Sequence, residues 1–165
     1  TPLILLPEIL FDFYNRTYKY KTLRVFYIVP YLSTGGMPEY LKNKIDKIKD
    51  EAEVWVFEKR HEFSYNTIRK RIESILGAER IITWGEKPED ILIKAIKEMK
   101  PDIIHFEEPC EQFLSHHLLD IIFSDDREYK IFETMHDSSV SPEEKIYLPD
   151  KFVVVSPWRK GIKTQ

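Results

Sequence analysis

The sequence has little cysteine and no long apolar stretch. Cys110 is the single cysteine among 165 residues, which excludes an intrachain disulfide and a multi-cysteine metal site. Because such a chain suits a reducing compartment, we expect a cytoplasmic protein. The apolar opening, residues 3–6, is stopped by Pro7 and falls far short of the roughly 20 residues that cross a bilayer. It also lacks a basic flank, so we expect no signal peptide.

An excess of basic charge is absent as well. Lysine and arginine number 25 against 28 acidic residues, a net charge of -3, and a nucleic-acid partner would require the opposite balance. The composition, 42% hydrophobic and 32% charged, is typical of one folded domain. The chain begins at Thr1 and ends at Gln165, soon after Ser156 and Pro157, a pair typical of a helix start. We therefore expect a segment of a longer polypeptide.

Short β-branched and aromatic runs alternate with segments of helical period from residue 23 onward. Six strands are predicted, at residues 23–29, 53–57, 80–83, 103–106, 130–133 and 152–155. Four helices are predicted between them, at residues 38–48, 68–76, 88–99 and 111–123, with Gly77 as the cap that ends the second. Several of these strands are nearly continuous apolar runs, as is typical of parallel strands that are buried on both faces of the sheet. The pattern predicts a Rossmann-like α/β fold, an open doubly wound parallel sheet with helices on both faces.

Residues 1–22 lie outside this alternation, and we interpret them as an N-terminal helix or arm before a domain at residues 23–165. Aromatic and basic side chains are mixed in this segment. Two interpretations remain open. The segment packs against this domain or a neighbouring one, which is the commoner role, or it contacts a membrane surface or a partner protein.

Ligands of open parallel sheets bind beyond the carboxyl ends of the strands, so the residues that follow each strand are the candidates for a site. Gly35 and Gly36 follow the first predicted strand and precede a helix, where backbone N–H groups can face an anion. The pair fits neither a dinucleotide fingerprint nor a P-loop. A tight turn and a phosphate-binding loop both remain open.

The other candidates are acidic and imidazole side chains. Glu107 and Glu108 follow the fourth strand, and since neighbours on an extended chain point to opposite sides, one of them can face a cleft. His136 and Asp137 follow the fifth strand, where an imidazole can hydrogen-bond a sugar hydroxyl. His105 lies inside an apolar strand and is expected to be buried and hydrogen-bonded. The histidines at 116 and 117 are expected in mid-helix without a third ligand, so no metal site is predicted.

Four segments together carry a resemblance to a known family. They are residues 23–41 with Gly35-Gly36-Met37-Pro38-Glu39, residues 100–105 (Lys-Pro-Asp-Ile-Ile-His), residues 134–137 (Thr-Met-His-Asp) and residues 149–156, which begin Pro-Asp-Lys. In this order and spacing they resemble the N-terminal domain of the retaining GT-B glycosyltransferases, the family of sucrose synthases and bacterial mannosyl- and glucosyltransferases. The resemblance covers nearly all of residues 23–165.

The resemblance implies that this domain holds the acceptor, while a C-terminal domain binds the nucleotide-sugar donor. It implies that His136 contacts the transferred sugar near its C6 hydroxyl and that Gly35 and Gly36 lie against the donor phosphates or the acceptor. We assign Met37, Glu107 and Asp137 to the same substrate-binding set. The family's E-x7-E element, which carries donor-binding glutamates, has no counterpart in this chain, so we expect the isolated domain to be inactive. No cofactor or divalent metal is implied.

The class of acceptor and the function itself both remain open. A glycan, a lipid and a small molecule are all compatible with the acceptor role. A GT-B-like sugar epimerase or phosphorylase has the same fold, and a non-catalytic binding or regulatory module needs no cleft.

Overall fold

A seven-stranded sheet forms the centre of the protein. The computed structural model describes residues 3–5, 22–60, 65–136 and 141–155. The strands are β1 Leu3–Leu5, β2 Leu23–Tyr31, β3 Ala52–Arg60, β4 Ile81–Thr83, β5 Ile103–Phe106, β6 Lys130–Met135 and β7 Lys151–Val154. Their order is β1-β7-β6-β5-β2-β3-β4, and every neighbouring pair is parallel. The predicted Rossmann-like parallel sheet is confirmed.

The path of the chain creates a crevice at one edge of the sheet. From β2 the chain adds β3 and β4 on one side, then returns to add β5, β6 and β7 on the other. The direction of winding therefore reverses between β2 and β5. In open α/β sheets the carboxyl end of such a reversal point is the usual place for a ligand.

Helices cover both faces of the sheet. They are α1 Gly36–Ile48, α2 Thr67–Leu76, α3 Lys94–Met99 and α4 His116–Ile122, with a π-helical turn, Glu89–Ile93, leading into α3. Residues of β2 alternate between two apolar layers: Val25 packs with α1 and α2, and Phe26 packs with α3 and α4. Gly77 ends α2 at φ 94, as its position predicted.

The fourth predicted helix, residues 111–123, is wrong in its first half. Cys110–Gln112 is a single 3-10 turn, after which Phe113 is buried beside Trp84 and Phe106. Helix α4 starts anew because the Ser115 hydroxyl accepts a hydrogen bond from the Leu118 N–H at 3.2 Å. A side-chain cap thus overrides a continuous helical period.

The N-terminal segment contributes a strand that the sequence analysis did not predict. Leu3–Leu5 pairs in parallel with β7, with Ile4 opposite Phe152. Residues 1–2 and 6–21 of the proposed helix or arm lie outside the described residues. So does the helix start expected at Ser156 and Pro157.

Two aspartates of the family-like segments tie neighbouring strands together at the amino edge of the sheet. Asp102 Oδ2 accepts a hydrogen bond from the Arg24 N–H at 2.9 Å, which joins the start of β2 to the residue before β5. Asp150 Oδ2 accepts one from the Ile131 N–H at 2.8 Å and joins the residue before β7 to β6. These acidic positions hold the sheet together far from the crevice.

Candidate functional site

His136 lies at the carboxyl edge of the sheet and is held there by a buried carboxylate. It directly follows β6, and its Nε2 is 3.0 Å from Oε2 of Glu107, which follows β5. The Glu107 side chain has no exposed surface. Tyr40, from the first turns of α1, packs edge-on against the imidazole with ring centroids 5.0 Å apart. Groups from three elements therefore fix the orientation of His136.

A buried lysine balances the charge of Glu107. Lys44, on the inner face of α1, forms an ion pair with Glu107 Oε1, and its Nζ lies 3.3 Å from the Thr134 hydroxyl. The ammonium also lies over the rings of Tyr27 and Tyr40, 5.2 and 5.0 Å from their centroids. A buried side chain stays ionised only when it is ion-paired and hydrogen-bonded. Lys44 has both kinds of contact.

The ionisation of the pair follows from these contacts. Burial alone would raise the pKa of the Glu107 carboxyl, but the neighbouring Lys44 ammonium and the hydrogen bond with His136 hold that pKa well below its usual range. Burial lowers the pKa of Lys44, and Glu107 opposes that shift. Glu107 is therefore a carboxylate at neutral pH and can only accept hydrogen bonds.

His105 is buried beneath this pair, as its place in an apolar strand predicted. Its Nε2 lies 2.7 Å from Oγ1 of Thr134, and its ring packs against that of Tyr27. Burial, reinforced by the nearby Lys44 charge, lowers the pKa of His105 well below its ordinary value. The ring is neutral at physiological pH and belongs to the interior.

A cavity of about 500 Å³ opens beside His136 at the reversal point of the sheet. Its described lining comes from the ends of β2 and β3, from the segment after β5 and from His136: Pro30, Tyr31, Lys59, Arg60, Glu108, Gln112, Phe113 and His136. Aromatic residues, charged residues and an amide all contribute to this lining. That mixture suits a ligand that has apolar edges and many hydrogen-bonding groups.

The glycine pair lies at the same edge as His136, although it does not line this cavity. Gly35 precedes α1 with φ 121 and ψ -179, a conformation essentially reserved for glycine. Gly36 is the first residue of the helix, and a Cβ added at either glycine would meet no atom of the described residues within 4 Å. The turn therefore requires Gly35, whereas the position of Gly36 would accept a side chain.

Two residues of the predicted substrate-binding set lie outside the described lining of this cavity. Met37 is buried in the core with Leu41 and Ile45, because the first turn of α1 directs it onto the sheet rather than toward the cavity. Glu107 points inward to Lys44 and His136, and its neighbour Glu108 lines the cavity instead. Asp137 lies outside the described residues.

Several residues at the site were missed by the sequence analysis. Lys59 and Arg60 end β3, so the rule that residues at strand ends face the ligand could have found them. Tyr31 ends β2 in the same way. No sequence signal marks Lys44 or Tyr40, which look like ordinary helical residues until α1 is packed on the sheet.

A second polar cluster lies beneath the loop that precedes β7. Potential ligand atoms of Cys110, Glu111 and Glu133 lie within 4.8 Å of one another. Lys145 is inserted among them: its Nζ is 3.0 Å from Glu133 Oε1 and bonds the Glu111 carboxylate as well. Burial raises the pKa of Glu133 to about 7. With an ammonium already between the carboxylates, the cluster fastens the loop to β6.

The two adjacent histidines lie in the first turn of α4, not in the middle of a helix as predicted. The His117 side chain is 72% exposed and lies 3.7 Å from Glu89, and His116 packs edge-on against Tyr147. Both stand apart from the His136 cavity lining.

Comparison of the chain with protein families, curated proteins and solved structures finds no match. Within the described ranges, none of the helices has both the length and the apolarity needed to cross a membrane.

Proposed function

We propose that this domain is the acceptor-binding half of a retaining GT-B glycosyltransferase, which transfers a sugar from a nucleotide sugar to an acceptor hydroxyl. A second, donor-binding domain would complete the cleft. One observation carries the proposal: His136, oriented by the buried Glu107, lines a sugar-sized cavity at the reversal point of a Rossmann-like sheet.

The hydrogen bond to Glu107 defines what His136 offers to a ligand. Because the Glu107 carboxylate is only an acceptor, Nε2 of His136 carries the proton in this contact. Nδ1 is then the ring atom that we propose to contact a sugar hydroxyl, such as the one expected near C6. An imidazole fixed by Tyr40 and Glu107 loses little freedom when the sugar binds.

The cavity wall supports binding of a sugar ring. Tyr31 would pack against its C–H edges, while Gln112 and Glu108 would offer hydrogen-bonding groups to hydroxyls. In transfer, the bond between the anomeric carbon and the diphosphate oxygen breaks, and a bond from the same carbon to the acceptor oxygen forms. The acceptor proton leaves with the diphosphate. Backbone N–H groups at Gly35 and Gly36 would help to stabilise the negative charge that develops on the leaving group.

The test uses the polypeptide encoded by the complete gene. It is incubated with a panel of radiolabelled nucleotide sugars and with sugar, lipid and glycan acceptors, and the anomeric configuration of each product is read by NMR. Acceptor-dependent transfer with retained configuration supports the proposal. Release of epimerised sugar or phosphorolysis of a glycan would replace it by one of the related GT-B activities.

A binding module would behave differently from all of these enzymes. Saturable binding of a sugar at the His136 cavity, without transfer, epimerisation or phosphorolysis of any substrate tested, would contradict the transferase proposal. Binding would be mapped by amide chemical shifts of Tyr31 and Gln112.

A further inference from the structure

Lys44 connects helix α1 to the two strands whose ends carry the candidate site. Its Nζ forms the ion pair with Glu107 Oε1. The same atom lies 3.3 Å from Oγ1 of Thr134 and 3.4 Å from Nε2 of His105. Thr134 lies in β6 two positions before His136, and His105 lies in β5 two positions before Glu107. The ammonium group therefore joins α1 to the carboxyl ends of both strands.

The same helix reaches His136 by a second route. Tyr40 precedes Lys44 by four positions, so the two side chains are neighbours on one face of α1. The Lys44 ammonium lies 5.0 Å from the centroid of the Tyr40 ring, and that ring packs edge-on against His136. Lys44 thus contacts two groups that hold the imidazole, the Glu107 carboxylate and the Tyr40 ring.

Helix α1 also begins at the glycine turn. Gly36 is its first residue and Tyr40 lies about one helical turn further on. One rigid element therefore carries both the turn and the side chains that hold His136. In the proposed transferase the turn would face the diphosphate and His136 would face the sugar. A displacement of about 1 Å between groups that act together on a substrate can reduce the rate by about 10²-fold.

Stability alone does not account for a buried ion pair at this position. Removing an ammonium and a carboxylate from water is costly, and an apolar pair of similar volume often stabilises a fold as well or better. An apolar pair would, however, tolerate a small shift of α1 along the sheet. The Lys44–Glu107 pair needs one particular position of the helix, because its charges require their hydrogen-bonding partners.

We propose that Lys44 is a positioning residue of this domain: through the Glu107 carboxylate and the Tyr40 ring, it fixes His136 relative to the glycine turn at the start of α1. The functional part of this inference rests on the proposed transferase activity. The geometric part depends only on the contacts of Lys44 and is tested on the 165-residue chain by itself.

The orientation of His136 is measured by nuclear Overhauser effects between its ring protons and those of Tyr40, since the two ring centroids lie 5.0 Å apart. The unaltered chain should show these signals. Lys44→Met has a side chain of similar length without the charge and should weaken them clearly. Lys47→Met makes the same change at an exposed position in the last turn of α1, so it is the matched control and should leave them unchanged.

A second variant keeps the test informative if Lys44→Met does not fold. Lys44→Met/Glu107→Gln leaves no unpaired buried charge in this pair, so it should fold more readily than Lys44→Met. It should show the same weakening of the signals between Tyr40 and His136. Full signals in either folded variant would overturn the proposal.

The kinetic test uses the complete gene product. Lys44→Met should lower kcat per folded molecule by about tenfold to 100-fold and change KM much less, because a misplaced His136 fails mainly in the transition state. In a His136→Ala background the same substitution should change kcat by less than about twofold, since Lys44 acts through His136. Equal losses of kcat in the two backgrounds would show that Lys44 does not act through His136 and would overturn the proposal.

Failure of this inference is distinguishable from failure of the transferase proposal. If the complete gene product transfers no sugar, the transferase proposal fails, and the signals between Tyr40 and His136 still decide the geometric part. If it transfers sugar and folded Lys44→Met keeps a normal kcat, the positioning role alone is overturned.

Discussion

His136 Nε2 donates a hydrogen bond to Oε2 of Glu107 across 3.0 Å, and Lys44 holds the other oxygen of the same carboxylate. His136 directly follows β6, Glu107 directly follows β5 and Lys44 lies in α1, so the imidazole is fixed relative to the sheet and to the first helix. The hydrogen-bond partner of His136 lies in another part of the chain, so its orientation does not depend on its own loop alone. The contact therefore links the candidate site to the packing of the domain.

Replacement of His136 by alanine should reduce transfer by the complete gene product without unfolding it. If the imidazole interacts with the sugar as charge develops, the loss is roughly 2.7 to 4 kcal/mol of transition-state stabilisation, or about 10²- to 10³-fold in kcat. Turnover and the melting temperature are measured on the same variant. His117→Ala, at a side chain that is 72% exposed, is the matched control and should change neither quantity.

A structural role for His136 predicts the reverse result. The melting temperature of His136→Ala would then fall while turnover per folded molecule stayed near normal. That outcome would remove His136 from the site, and with it the main support for the transferase proposal.

The Lys44–Glu107 pair should show strong coupling in unfolding experiments. Glu107→Gln or Lys44→Met alone should lower the free energy of unfolding by about 3 to 5 kcal/mol, because each leaves a buried charge without its partner. The double variant should lose clearly less than the sum of the two. Urea denaturation of the four proteins gives the coupling energy, and additive losses would contradict the buried ion pair.

The stability of the protein should depend on pH through His105. Burial lowers the pKa of His105, so below about pH 6.5 the unfolded chain takes up a proton at this ring that the folded chain does not. The free energy of unfolding should therefore fall as the pH drops from about 6.5 toward the folded-state pKa, by up to about 1.4 kcal/mol per unit for this group.

His105→Gln removes this contribution. The difference in stability between wild type and variant should then become less favourable to wild type as the pH falls below about 6.5. Chemical denaturation at a series of pH values measures the difference directly and cancels the other titrating groups. Parallel curves for the two proteins would show that His105 titrates normally in the folded state.

The two glycines should respond oppositely to alanine. Gly35→Ala should destabilise the fold by about 1 to 3 kcal/mol, because φ 121 with ψ -179 is strained for any side chain. Gly36→Ala has open space and a helical position, so it should be neutral or stabilising by up to about 1 kcal/mol. Thermal unfolding measures both effects. A Gly36→Ala variant that is stable but no longer binds substrate would indicate close ligand approach, whereas unchanged binding would assign the pair to the turn alone.

Local sequence patterns were sufficient for the fold and for part of the site. Apolar runs and helical periods depend on neighbours a few positions apart, so they predicted six of the seven strands and the parallel sheet. In a parallel sheet all carboxyl ends meet at one edge. That rule alone put Gly35 and His136 at the same edge, and it could equally have selected Lys59 and Arg60.

Tertiary structure decided which side chains meet at that edge. Lys44 and Glu107 are 63 positions apart, and their contact depends on how α1 lies across the sheet. The same packing buried Met37 and turned Glu107 inward while Glu108 lined the cavity. Sequence spacing sets the period of an element but not its rotation or crossing angle against a neighbour, and those two quantities determine the partner of a buried charge.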